Sequence, residues 1–153
     1  MLAGLGTFAF SMDDLAFQTL SRRTSWRWAE GKRVGRRDAL QFVGPEADDI
    51  TIAGMLAPGV TGRVGALADL RRLGDDGLAH ALVDGSGAVH GAFVITSLGE
   101  DQSLHFFDGI PRKADFTLEL KRVDDDDARA LLQRANATPA ADLAESFPGL
   151  LWI

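Results

Sequence analysis

The chain has no cysteine, which excludes disulfides, thiolate nucleophiles and cysteine metal ligands while leaving the redox compartment open. It has no apolar run of about 18 residues, so no segment reads as a membrane-spanning helix. The opening Met1-Leu2-Ala3-Gly4-Leu5-Gly6 lacks the basic region and apolar stretch of a secretory signal. The sequence therefore predicts a product that stays in the compartment where it is made. Low-complexity tracts and internal repeats are missing, so disorder is expected only at the ends. His80, His90 and His105 are scattered, with no two at metal-ligand spacing; His90 and His105 could face each other across neighbouring strands, which is more often a surface pair than a ligand pair. No Gly-x-Ser-x-Gly elbow presents a nucleophile. Asp124 to Asp127 lack the interleaved spacing and later Glu of a calcium loop. Asp84, Asp108 and Asp115 fall at turns or on a strand, where side-chain capping of turns explains an aspartate. These absences point away from an enzyme, and no cofactor or metal is expected.

What is present suits one globular domain, since 153 residues bury about 68–70% of their unfolded surface. The net charge of −6 argues against tight binding to a phosphate backbone, which needs a basic face. The charge is uneven, however. Arg22, Arg23, Arg27, Lys32, Arg33, Arg36 and Arg37 crowd the first quarter, and Asp124 to Asp127 form an acidic knot. Two readings stay open: solvated surfaces, or opposite-sign patches by which subunits meet.

The stretch from Ala81 to Asp124 reads as a β-meander closing around Phe106 to Phe116. Beyond that turn, Phe116, Leu118 and Leu120 alternate with Thr117, Glu119 and Lys121, which puts one set on a core. Asp108-Gly109 supplies a tight reversal, and Pro111 is expected to stop the next residues continuing as an interior strand. Within the meander the turn Asp84-Gly85-Ser86-Gly87 precedes a strand over Ala88 to Thr96, with Val89, Phe93 and Ile95 on one face, and Gly99-Glu100-Asp101 reads as a turn.

Upstream, Thr7 to Phe10 reads as a first strand, broken at Asp13-Asp14. Phe17 to Trp28 is extended, with Trp26 and Trp28 on one face and Arg27 on the other. The two tryptophans fit a core, a partner-binding surface or base stacking. Gly31 to Arg37 reads as a basic hairpin tip; no Gly-Lys-Ser/Thr makes it a phosphate loop. Ala39 to Gly44 and Ile50 to Leu56 read as two strands, separated by a turn at Pro45-Glu46. A helix is predicted from about Gly62 to Leu73, N-capped by Thr61 and ended by Gly74 or Gly77, with Val64, Leu67, Ala68 and Leu70 as its apolar face. Arg71 falls near the middle of that face, where a carboxylate, a neighbouring subunit or the core edge would accommodate it, and Leu73 falls off it. A second helix is predicted over Asp125 to Arg134, its aspartates favourable at the N-terminus. The apolar stretch Thr138 to Ile153 must dock on its own domain or on another chain.

Taken in order, these pieces resemble the tail protein U (GpU) family of temperate phages with contractile tails. The resemblance is carried by Thr7-Phe8-Ala9-Phe10, Trp26-Arg27-Trp28, the run Gly35 to Gly44, Ile50-Thr51-Ile52-Ala53-Gly54 leading to Pro58, Leu82 to Gly87, Gly91 to Ile95, Phe107 to Lys113, and Phe116-Thr117-Leu118 ending in Arg122-Val123-Asp124. It covers roughly residues 5–125 and fits phages and phage-derived bacteriocins alike.

The resemblance implies a structural virion component, assembled in the bacterial host cytoplasm into the virion tail, with an α+β, mainly β fold. That fold is a tail-tube-like antiparallel barrel or sandwich over residues 1–124 with one flanking helix, followed by a helical extension over 125–153. It also implies a homo-hexameric ring, whose partners are the baseplate hub, the tail-tube protein and the tape-measure protein. DNA is only cargo in the lumen, and no membrane is involved. A tube initiator at the baseplate end is the favoured position, against a head-proximal terminator ring or, in another class, a stand-alone ligand-binding barrel or small enzyme. Interface residues expected on this basis are Trp26, Arg27 and Trp28, Arg33, Arg36 and Arg37 in the basic loop, and Asp108, Gly109, Pro111, Arg112 and Lys113 at the later turn.

Overall fold

Seven strands and two helices make up the computed structural model, which describes residues 2–11, 15–57, 63, 65–105 and 111–137. In chain order they are β1 (Ala3–Leu5), β2 (Phe8–Phe10), β3 (Phe17–Gly31), β4 (Ala39–Leu56), α1 (Ala66–Asp75), β5 (His80–Asp84), β6 (Val89–His105), β7 (Pro111–Val123) and α2 (Asp125–Ala137). All strand pairings are antiparallel, in the order β2-β1-β5-β6-β7-β4-β3. The mainly β α+β fold is therefore the one that forms, and β5, β6 and β7 are the expected meander.

The sheet is open rather than closed into a barrel, since β2 and β3 remain its two edges among the described residues. It nevertheless curls strongly. Phe10 on one edge strand and Phe17 on the other meet with ring centroids 5.7 Å apart and planes at 81°. That edge-to-face contact closes the concave side by packing instead of by a hydrogen-bonded seam. Period-2 alternation supplies the concave core: Ile50, Ile52, Phe116, Leu118 and Leu120 are buried with Leu5, Phe10, Leu82 and Phe93.

Helix α1 covers this core with Ala66, Leu67 and Leu70 buried and Leu73 packed against it. Ala68 and Arg71 face outward, contrary to the face expected from sequence, and Arg71 pairs with Glu100 of β6. The larger Leu67, Leu70 and Leu73 set the helix rotation and leave the small Ala68 outside. Gly65 occupies the N-cap position without a side-chain cap, Gly77 (φ +68°) follows the helix end, and Thr61 and Val64 lie outside the described residues.

Several boundaries differ from the sequence reading. An N-terminal hairpin, β1–β2, turns at Gly6 (φ +57°), where only one strand was expected. Strand β4 continues through Pro45, with register shifts against β3 on either side of it, because its second edge is unpaired there; β4–β7 pairing covers only Asp49 to Leu56. Strand β6 likewise runs through Gly99-Glu100-Asp101 without turning, and it carries both His90 and His105, near its opposite ends instead of on neighbouring strands. A bulge between Leu82 and Val83 sends Val89 to the solvent face, away from Phe93. Pro111 opens β7, a position a strand tolerates, so it does not stop that strand.

Candidate functional site

The pairing register divides β3 and β4 into two parts. From Asp49 to Gly54, β4 lies between β3 and β7; from Ala39 to Asp48 it pairs with β3 alone. The distal halves thus form a two-stranded arm that leaves the sheet, with the loop 32–38 at its tip. Eight residues from Thr24 to Gly31 give its paired portion a length of about 25 Å. No residue of β3 in the arm is buried.

One face of the arm is apolar. Trp28 pairs with Phe42 across the strands, and their rings meet edge-to-face at 5.1 Å. Trp26 is opposite Pro45 and Glu30 opposite Leu40, so Trp26, Trp28, Leu40 and Phe42 share this face. Arg27, Ala29 and Gln41 take the other. Trp26 is 58% exposed and Trp28 52%, which removes both from the core. Isolated exposed hydrophobics are ordinary, whereas this set is contiguous and lies on an element with no core of its own.

The arm is anchored at its root by an ionic node. Asp48, buried, accepts from Arg22 Nε at 2.9 Å and from a second nitrogen of the same guanidinium, and Arg122 of β7 lies 3.5 Å from Oδ2. The Arg22 hydrogen bond, opposed by burial and helped by the charge of Arg22 and by Arg122, holds the Asp48 carboxyl below its ordinary range. Arg22 Nη1 also contacts His90 Nδ1 at 3.3 Å, and His90 Nε2 contacts Asp84 Oδ2 at 3.1 Å. A guanidinium has no lone pair, so His90 Nδ1 accepts and its Nε2–H donates to Asp84. Asp84 also caps its own turn, accepting from the N–H groups of Ser86 at 2.9 Å and Ala88 at 3.1 Å and from the Ser86 hydroxyl; these bonds pull its carboxyl down to about 2. The chain of contacts joins β5, β6, β7, β4 and β3 where the arm departs.

The expected interface residues fall into two groups at opposite ends of the sheet. Trp26, Arg27 and Trp28 lie on the arm, and Arg33, Arg36 and Arg37 in its tip loop. Pro111, Arg112 and Lys113 begin β7 at the far end, where Lys113 pairs with Asp115 at 3.6 Å; Asp108 and Gly109 lie outside the described residues. Leu40, Phe42 and Asp48 were missed from sequence. A hairpin centred on Gly35 sets position 28 against 42 and 30 against 40, so the alternation of Leu40 and Phe42 was the available signal.

Elsewhere the geometry offers little for chemistry. Among the described residues no group of three His, Cys, Asp or Glu side chains could hold a metal ion, and no helix is long and apolar enough to cross a membrane. One cleft of about 470 Å³ is lined in part by Arg63, Asp69, Arg72 and Asp76, whose charges are partly spent on Arg63–Asp69 and Arg72–Asp69 pairs. His80 lies 3.3 Å from Asp76 and 3.4 Å from the Leu73 carbonyl, which gives it a local structural role.

No curated protein sequence matches the chain. The family model described as Phage P2 GpU matches residues 6–125, the whole described sheet except strand β1, and so the chain belongs to the Phage P2 GpU family and is a structural protein of the phage tail.

Proposed function

We propose that the protein forms a homo-hexameric ring at the baseplate end of a contractile tail, or of a related tail-like particle, where it joins the central hub to the first disc of the tail tube. The observation that carries this reading is the arm, about 25 Å of two-stranded ribbon with an exposed apolar face and no core behind it. A lone hairpin is marginal in water, and a second surface against its apolar face would stabilise it. The outer edge of β3 is also unpaired among the described residues, which suits strand addition by a neighbour. In this reading Trp26, Arg27 and Trp28 with the tip arginines contact one neighbour, and the region of Asp108, Gly109, Pro111, Arg112 and Lys113 contacts another from the opposite end. Residues 1–124 act as the ring-forming domain, with 125–153 as an extension. The acidic balance suits a lumen that lets DNA pass.

Native mass measurement and negative-stain imaging of the purified protein, alone and with its hub and tube partners, test this. The expected result is a six-subunit ring, alone or on the hub. A strict monomer that ignores the hub yet assembles on tube tips would instead place the protein at the head-proximal end.

A further inference from the structure

The tip of the arm and the rest of the chain carry opposite charge. The loop 32–38 holds Lys32, Arg33, Arg36 and Arg37 against Asp38, a net +3; since the chain totals −6, the remainder carries −9. Part of the arm charge is used internally, by Arg22 with Asp48, Arg27 with Glu46 at 3.9 Å and Lys32 with Asp38 at 2.6 Å. Arg33, Arg36 and Arg37 in the tip loop form no ion pair among the described residues. The tip stands about 25 Å or more from its own body, several Debye lengths at physiological salt, so it cannot be neutralised there.

We infer that the arm of each copy lies across the acidic body of the next copy, in a head-to-tail contact that seats Trp26, Trp28, Leu40 and Phe42 on the neighbour. This rests on the ring reading above and specifies its interface. Two arms that brought their +3 tips together would repel, so a symmetric dimer pairing the arms tip to tip is disfavoured; a +3 tip on a remainder of −9 is attracted. The reach also fits. A body of roughly 110 residues has a radius of gyration of about 13 Å and hence a diameter of about 34 Å. Adjacent bodies in a ring are spaced by about that distance, which the paired arm and its loop can cover. A head-to-tail contact closes into a ring when the rotation per subunit permits.

The test is a variant in which Arg27 to Gly44 are replaced by a two-residue Asn-Gly turn. No residue of that segment is buried, so the body keeps its fold, which thermal melting checks. Alone, this armless chain should be a monomer. Mixed with wild type under ring-forming conditions, it should accept an arm but donate none, so rings decline as its fraction rises and open complexes with one armless chain each appear in native mass spectra. Charge reversal of Arg33, Arg36 and Arg37 to Glu should weaken association at least about tenfold at low salt, and less at high salt. Wild-type complexes that exclude the armless chain and persist unchanged would overturn the inference in favour of arm-to-arm pairing. Rings formed by the armless chain itself would overturn it while leaving the ring reading intact. A wild-type protein with no ring, alone or on the hub, overturns both. Arm-dependent binding of a 20-base-pair DNA duplex with self-association unaffected would instead assign the arm to nucleic acid.

Discussion

Replacing Asp48 by Ala should cost about 2 kcal/mol of folding stability. Removing one partner of a fully buried ion pair typically costs about 3–5 kcal/mol, because the other charge is left without solvent or partner. Here the two arginines are less committed, with side chains 35% exposed for Arg22 and 46% for Arg122. Both can turn toward water once the carboxylate is gone, which places the cost near the value of surface pairs plus a lost buried acceptor. For a domain of this size that lowers the melting temperature by about 4–8 °C. Urea denaturation of wild type, Asp48→Ala and Asp48→Asn measures it, with Asn retaining an acceptor for the Thr24 hydroxyl, which lies 3.4 Å from Asp48 Oδ1, but not the charge. The sign with pH follows from the depressed carboxyl. Its folded value lies below its unfolded value of about 4, so its contribution is fully present above that pH and is lost as pH falls through the folded value. The gap between wild type and Asp48→Ala should therefore be wide at pH 7 and narrow as the pH falls below the unfolded value and through the lower folded one. A difference under about 0.5 kcal/mol at pH 7, with no narrowing in acid, would show that the node does not hold the arm to the sheet.

Three further outcomes are expected. Trp28→Ala removes an exposed edge-to-face pair worth about 0.5–1.5 kcal/mol, so the monomer should stay folded by circular dichroism while ring formation in sedimentation falls about tenfold; an unfolded monomer would make Trp28 a core residue after all. Asp84→Asn should flatten the acid limb of stability between about pH 4 and pH 2, since the wild-type carboxyl, at about 2, contributes above its unfolded value and loses that contribution as pH falls toward 2; identical pH profiles by thermal melting would refute the capping account. Gly54→Ala should cost about 3 kcal/mol or prevent folding, because the added Cβ would lie 2.6 Å from the Ala16 carbonyl oxygen and 2.8 Å from Phe17 Cα, both backbone atoms; a normal denaturation midpoint would show that β3 can retreat from β4.

The sheet was legible wherever one face is buried. Ile50 and Ile52 and the triplet Phe116, Leu118 and Leu120 alternate because the opposite face meets solvent, and that pattern needs no tertiary knowledge. What escaped depends on neighbours the sequence does not display. Pro45 looks like a terminator until β4 is known to have a free edge beside it, and Val89 looks inward until the bulge beside Val83 is counted. The arm itself was half legible: Trp26 and Trp28 were seen to share a face, but not that the face lacks a core. Asp48 was invisible because Arg22 and Arg122, its partners, lie 26 and 74 positions away.

The pairing of β1 with β5 has a consequence for synthesis. Ala3 meets Asp84 and Leu5 meets Leu82, so the N-terminal hairpin finds its place only when a partner about 80 residues later has left the ribosome, some 4–16 s at about 5–20 residues per second. Through that interval Leu5, Phe8 and Phe10, all buried in the finished fold, have no sheet to join. The local β3–β4 hairpin, by contrast, can pair as soon as Leu56 emerges. The hairpin is therefore among the last described elements to be placed although it precedes the others in the chain, and until then the nascent chain carries an exposed apolar segment.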